Sequence, residues 1–260
     1  MAELAFVGLG LGDERGLSNH AWEVLRTAGE VYAEEYTASA PAGTLDRIGA
    51  ALGRPVRRLD RAAVEAEAPI LAALARSPRV ALLVVGDPFA ATTHVALRLA
   101  VERAGHAWSY VPNASVLTAA AGWLGFMHYR FGRTVSLPFE APGFSPRSPL
   151  EQVAANRTAG LHTLLLLDLR PDEGRYLGAD EALRRLRSLD PDGKVLAPLT
   201  LVAVAARVGR DDAAGWFGPL DELARLDFGP PMHAVVIPAP ELHFEESAAL
   251  ARYRVGRARD

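Results

Sequence analysis

The sequence predicts an α/β protein built in two parts, and three observations carry that expectation. An apolar run, Leu4 to Val7, passes through glycines into a helical pattern. A second run, Val80 to Val85, is continuously apolar and stops at Gly86-Asp87-Pro88. Beyond Val111 the regular alternation of strands and helices changes character. A short strand that is apolar throughout and leads into a helix suits a parallel sheet covered on both faces.

Each element follows from local chemistry. Trp22, Leu25 and Ala28 recur at helical spacing within Ser18 to Gly29, so the chain opens as strand, glycine loop, helix. Glu30 to Tyr36 reads as a second strand, and Gly43 to Leu52 as a helix with Leu45, Ile48 and Leu52 facing inward. Arg61 to Arg76 is helical in pattern with an interruption at Pro69, whose ring cannot continue a helix, and Ser77-Pro78 bounds it. After Val80 to Val85 come a helix over Thr92 to Ala104 and a strand over Trp108 to Val111.

The second part begins with an alanine-rich helix, Ser115 to Leu124, then a strand over Thr134 to Pro138 and a proline-rich loop to Pro149. Leu150 to Gly160 is a helix, Thr163 to Asp168 an apolar strand, and Ala179 to Leu189 an amphipathic helix. Thr200 to Ala205 and His233 to Ile237 are strands, with a helix over Pro219 to Leu226 between them. The expected domains are 1–112, with a parallel sheet, and 113–260, with a mixed sheet.

Composition narrows the function. Of 260 residues, 50% are hydrophobic and 23% charged, the balance of a packed globular chain and far from that of disorder. A net charge of −3 provides no large positive field, which argues against binding nucleic acid by counterion release. Cysteine is absent, excluding disulfides, thiolate catalysis and cysteine-ligated zinc. The N-terminal residues lack the basic start and long apolar segment of a secretory signal. The longest apolar stretches, Val80 to Val85 and Leu196 to Ala206, fall short of the roughly 20 residues a spanning helix needs. A soluble, cytoplasmic protein is expected. Lys194 is the only lysine among 28 basic residues.

Four places could carry chemistry. Gly8-Leu9-Gly10-Leu11-Gly12-Asp13 follows a strand and precedes a helix, so the missing Cβ atoms serve either close approach of a ligand or tight packing. Asp13 stands where the dinucleotide fingerprint needs its third glycine, which disfavours a nicotinamide cofactor. Gly86-Asp87-Pro88 lies at the carboxyl end of a buried strand, where ligands of open α/β sheets gather, although Asp87 could equally cap a turn. Pro112-Asn113-Ala114-Ser115-Val116 joins the two parts, with Ser115 as ligand contact, helix cap or both. Glu34-Glu35 could bind ribose hydroxyls or form a solvated strand end. The seven histidines show no metal-ligand spacing, so no metal is expected, and no phosphate-binding Gly-x-x-x-x-Gly-Lys loop is present.

Taken together, Gly8-Leu-Gly-Leu-Gly-Asp-Glu-Arg15, Glu34-Glu-Tyr-Thr37, Gly86-Asp-Pro88 with Ala91-Thr-Thr-His94, and Asn113-Ala-Ser115 resemble the diphthine synthases. Tyr129-Arg-Phe-Gly-Arg-Thr134, Gly160-Leu-His-Thr163 with Leu167-Asp168, Ala206-Arg-Val-Gly209 and Asp227-Phe-Gly-Pro-Pro-Met-His233 extend the resemblance over nearly the whole chain. It implies the tetrapyrrole-methylase fold, with two α/β domains and a cofactor cleft between them, and a homodimer. Carried over by motif position, it implies contacts to S-adenosylmethionine at Leu11, Asp87, Ala90, Ser115, Val116, Leu166, Val208 and His233.

The implied acceptor is the 3-amino-3-carboxypropyl group on a histidine of translation elongation factor 2, whose amine receives methyl groups, three in the archaeal-type reaction. His94 and water are both open as the proton acceptor. Two alternatives stay open as well: methylation of a tetrapyrrole precursor, and a noncatalytic binding module that retains the cofactor pocket.

Overall fold

The computed structural model describes residues 1–144 and 146–256. The chain forms two compact units, one of Met1–Ser115 with Pro171–Gly174, the other of Val116–Arg170 with the chain from Arg175 onward.

The first unit runs β1 (Glu3–Gly10), α1 (Asn19–Thr27), β2 (Glu30–Glu34), α2 (Thr44–Leu52), β3 (Arg57–Leu59), α3 (Arg61–Glu65), α4 (Ala68–Leu74), β4 (Arg79–Val85), α5 (His94–Arg103) and β5 (Ala107–Val111). Its five strands are ordered β3-β2-β4-β1-β5 and all pair in parallel. Leu4, Phe6, Val80, Leu82 and Val84 pack with Ile70 of α4 and Leu97 of α5 on one face. Ala5, Val7, Leu9, Ala81 and Leu83 pack with Leu25 of α1 and Ile48 of α2 on the other. Burial of both faces is why β1 and β4 read as unbroken apolar runs.

Local chemistry sets the boundaries. The Ser18 hydroxyl accepts the Ala21 amide at 3.0 Å and starts α1. The helical stretch Arg61 to Arg76 divides at Glu67, which takes a left-handed φ of 60°, and Pro69 then occupies the first turn of α4. Strand β3 was not expected: Arg57 and Arg58 are exposed on an edge strand and pair with Glu30 and Glu35.

The second unit runs α6 (Val116–Leu124), β6 (Val135–Leu137), α7 (Ser148–Thr158), β7 (Thr163–Leu167), β8 (Leu169–Arg170), β9 (Arg175–Tyr176), α8 (Ala179–Leu189), β10 (Leu201–Ala206), β11 (Ala214–Pro219), α9 (Leu220–Leu223), β12 (His233–Ile237) and α10 (Phe244–Leu250). Its main sheet is ordered β11-β10-β12-β7-β6. Only the β6–β7 pair in it is parallel, so the sheet is mixed. Leu165, Val202, Val204, Val235 and Ile237 face Leu183 and Leu186 of α8. Leu164, Ala203, Ala205, Ala234 and Val236 face Ala120 and Leu124 of α6.

One expectation fails here. The helix over Pro219 to Leu226 contracts to α9, because Pro219 ends β11, a strand concealed by the glycines of Ala-Gly-Trp-Phe-Gly-Pro. The strand expected over Thr200 to Ala205 is β10, Leu201–Ala206. Before it, buried Asp190 accepts the amides of Lys194, Val195 and Leu196 at 3.0, 2.9 and 2.7 Å. Burial would push the Asp190 carboxyl upward, but these amides outweigh it and hold the group below its ordinary value. Among the described residues, no helix is long and apolar enough to cross a membrane.

Candidate functional site

In the first unit the chemistry gathers at the carboxyl ends of β1, β4 and β5. Gly10 and Gly86 exchange main-chain hydrogen bonds of 3.1 and 2.8 Å, each in the left-handed region that glycine tolerates, at φ of 79° and 80°. The loops after β1 and β4 are thereby tied together. The space left by the missing Cβ atoms is taken by Asn113: a Cβ at Gly8 would lie 2.6 Å from that of Asn113. The Asn113 amide donates to the carbonyls of Gly8 at 2.9 Å and Gly16 at 3.0 Å. At Gly86, an added Cβ would meet the Ala114 carbonyl at 3.8 Å and Leu11 Cδ2 at 4.0 Å, so Leu11, Gly86 and Ala114 are neighbours.

Asp87 lies at the centre of these loops. Its Oδ1 accepts the Phe89 amide at 3.0 Å, and its Oδ2 accepts the Tyr110 hydroxyl at 2.5 Å and the Asn113 amide at 3.1 Å. The carboxylate caps its own turn and bridges to the end of β5. Partial burial together with the bond to Asp87 pushes the Tyr110 hydroxyl up to about 12. Ala90 closes the same turn, its amide donating to the Asp87 carbonyl at 3.2 Å. Ser115 is the last residue of the first stretch of this unit.

Glu34 and His94 are corrected by the structure. Glu34 is fully buried, neither a solvated strand end nor open to a ribose. Its carboxylate accepts the Thr37 hydroxyl at 2.5 Å and the amides of Tyr36 and Thr37, each at 3.1 Å, while burial raises its pKa. The more exposed Glu35 pairs with Arg58. His94 is 1% exposed, and its Nδ1 lies 2.7 Å from the Pro88 carbonyl. A carbonyl only accepts, so Nδ1 carries the proton. Nε2 then faces the Tyr36 hydroxyl at 3.5 Å and Glu34 at 3.8 Å. The imidazole braces the Gly-Asp-Pro turn from within the core and is not placed to take a proton from a substrate.

In the second unit, Val116, Leu166 and Val208 are half-buried against one apolar layer, that of Ala203, Ala205 and Ala234. All three pack against the same layer. His233 pairs with Ala206 through its main chain, and its ring packs edge-on to Phe228 on the other face of the sheet. Nδ1 accepts the Ala179 amide at 3.3 Å, so Nε2 carries the proton and donates to the Pro230 carbonyl at 3.0 Å. Burial lowers the pKa of His233 and keeps the ring neutral. On the face of Leu166 and Val208, His233 offers only its backbone.

A second buried network lies in this unit. Glu246 accepts the Met127 amide and His162 Nε2 at Oε1, each at 3.0 Å, and Arg130 at 2.5 Å and the His243 amide at 3.0 Å at Oε2. It ties the Tyr129-to-Thr134 and Gly160-to-Thr163 motifs to α10. Among the described residues, no group of three or more His, Asp or Glu side chains is placed to hold a metal ion.

Sequence reasoning missed Tyr110, which gave no linear signal, and Arg207, which lies inside the quoted Ala206-Arg-Val-Gly209 motif but was not weighed. Arg207 binds the carbonyls of Phe228 and Pro230.

The sequence profile of the Tetrapyrrole (Corrin/Porphyrin) Methylases matches residues 3–224, and the chain belongs to that family of methylases. Within it, the chain is a member of the diphthine synthases. It is 38% identical to the diphthine synthase of Methanothermobacter thermautotrophicus over 94% of this chain and 92% of that one. It is 35% identical to the diphthine methyl ester synthase of Aspergillus fumigatus over 98% of this chain and 95% of that one. A crystal structure of diphthine synthase superposes with a TM-score of 0.88 at 32% identity, covering 97% of this chain and 96% of that one.

Proposed function

We propose that the protein uses S-adenosylmethionine to methylate the amine of the 3-amino-3-carboxypropyl histidine of elongation factor 2, forming diphthine in the synthesis of diphthamide. The near-full-length similarity to diphthine synthases carries this reading. We take the protein to act in the cytoplasm as a homodimer, as the family resemblance implies.

The character of the residues supports the co-substrate. Leu11 and Ala90 in the first unit, and Val116, Leu166 and Val208 in the second, are each half-buried and apolar, the kind of surface against which an adenosyl group packs. Around the Asp87 turn, before α6 and at His233, main-chain groups lie at the ends of strands or the start of a helix, where they can fix polar atoms. Bound S-adenosylmethionine supplies an electrophilic methyl group on a sulfonium. The chain supplies orientation, which for well-aligned reactants is worth roughly 7–11 kcal/mol. The acceptor nitrogen forms the new bond to carbon as the carbon–sulfur bond breaks, and sulfur keeps the electron pair. The nitrogen's proton passes to water, since the His94 ring is buried in the core and both ring nitrogens of His233 are hydrogen-bonded within the protein.

Intact-mass spectrometry tests this reading. The factor carrying the unmethylated aminocarboxypropyl histidine should gain three methyl groups, and the unmodified factor none. Methylation of a tetrapyrrole precursor with none on the modified factor overturns the acceptor. Binding of S-adenosylmethionine with no turnover on either makes the protein a binding module.

A further inference from the structure

Arg207 is 9% exposed and sits one residue beyond β10. Its φ is 53°, a left-handed value that side-chain-bearing residues rarely adopt. That turn sends the chain in two directions. The backbone carries Val208 into the half-buried group with Leu166 and Val116. The guanidinium instead reaches the loop before β12, where Nη1 donates to the carbonyls of Phe228 at 3.0 Å and Pro230 at 2.6 Å. The Arg207 amide donates to the Met232 carbonyl at 2.7 Å, and Pro230 in turn accepts from His233. Asp212 supplies the counter-charge, its Oδ2 lying 2.7 Å from Arg207 Nε.

Two of the residues that the resemblance assigns to S-adenosylmethionine are thus tied to Arg207: Val208 follows it in the chain, and His233 shares with it the Pro230 carbonyl and follows Met232, whose carbonyl the Arg207 amide holds. Nη1 of Arg207 serves the carbonyls of Phe228 and Pro230, Nε pairs with Asp212, and the Arg207 main-chain amide holds the Met232 carbonyl. A side-chain amide has two donors and no charge, so it cannot bind both carbonyls and also pair with the Asp212 carboxylate as a guanidinium does. We propose that Arg207 is the positioning residue that holds the main chain at Val208 and His233 in register to receive S-adenosylmethionine, without touching it. The inference rests on the cofactor reading above, and it assigns Arg207 a part in affinity rather than in the methyl-transfer step.

Calorimetric titration of the full chain with S-adenosylmethionine tests it, alongside steady-state turnover. Arg207→Gln should bind roughly tenfold to a hundredfold more weakly, the range expected when a charge-assisted hydrogen bond is lost. KM for S-adenosylmethionine should rise in step while kcat changes little. Arg207→Lys, which keeps the charge but loses the fork, should fall between, and added guanidinium ion should restore part of the affinity lost in Arg207→Gln. A role in folding alone would reduce the number of binding sites and leave the dissociation constant unchanged, and that result overturns the proposal. If Arg207→Gln does not fold, Arg207→Lys decides: unchanged affinity overturns the proposal and weakened affinity supports it. Failure of the unsubstituted protein to bind S-adenosylmethionine would instead remove the cofactor reading itself.

Discussion

The Tyr110 hydroxyl donates a 2.5 Å hydrogen bond to Asp87 Oδ2, joining residues 23 apart in sequence at the ends of β5 and β4. The same oxygen accepts the Asn113 amide, so Asp87 serves two loops at once. Asp87→Asn should therefore weaken S-adenosylmethionine binding by about 1.5–3 kcal/mol, and Tyr110→Phe by about 0.5–1.5 kcal/mol. If the carboxylate acts by holding the loops, the double variant should cost less than the two single costs together, a coupling that a calorimetric mutant cycle measures.

Gly8 faces Asn113 and the Gly86 carbonyl, which a new Cβ would approach to 2.6 and 2.9 Å. Gly8→Ala must displace one of the two loops. A destabilisation of about 1–3 kcal/mol is expected, as for overpacking elsewhere, read from the urea midpoint. An unshifted midpoint would show that the loops part easily.

His94→Gln can still donate to the Pro88 carbonyl. Turnover at saturating S-adenosylmethionine should survive, with an unchanged limb in the pH–rate profile and a higher KM for the co-substrate. A hundredfold loss of kcat together with a flattened limb would restore His94 as a general base.

Stability should fall as the pH is lowered through the histidine range. Burial is the main cause holding His162 and His233 below their ordinary 6.5, so the folded chain binds fewer protons there than the unfolded chain. Their contribution is present above about 6.5 and is lost as pH falls through the folded values. Urea midpoints between pH 7.5 and 5.5 should decline, and the slope should be shallower in His162→Gln. An equal slope in that variant would place the dependence elsewhere.

Much of the scaffold was legible because it is local. Val80 to Val85 announces a doubly covered strand, and Pro69 marks the break that Glu67 completes. What escaped depends on partners distant in sequence. β11 was hidden by Gly215, whose lack of a side chain makes room for Trp123 and Tyr253: an added Cβ would sit 2.8 Å from each ring. Glu34 does end β2, but its burial was hidden: Tyr36 and Thr37 bind the carboxylate locally, while His94, which lies over it, comes from the distant helix α5. The glycines of the first loop left ligand approach and tight packing open, and at Gly8 and Gly10 the structure shows packing, by Asn113.

The lone lysine offers something practical. Lys194 follows the turn whose amides Asp190 gathers, so its main chain is fixed while its side chain is 79% exposed. A fluorophore or cross-linker aimed at amines would attach at this side chain and at the exposed amine of Met1, and peptide mapping tells the two apart. Distances measured from Lys194 to a labelled elongation factor would test the proposed acceptor without a single engineered substitution.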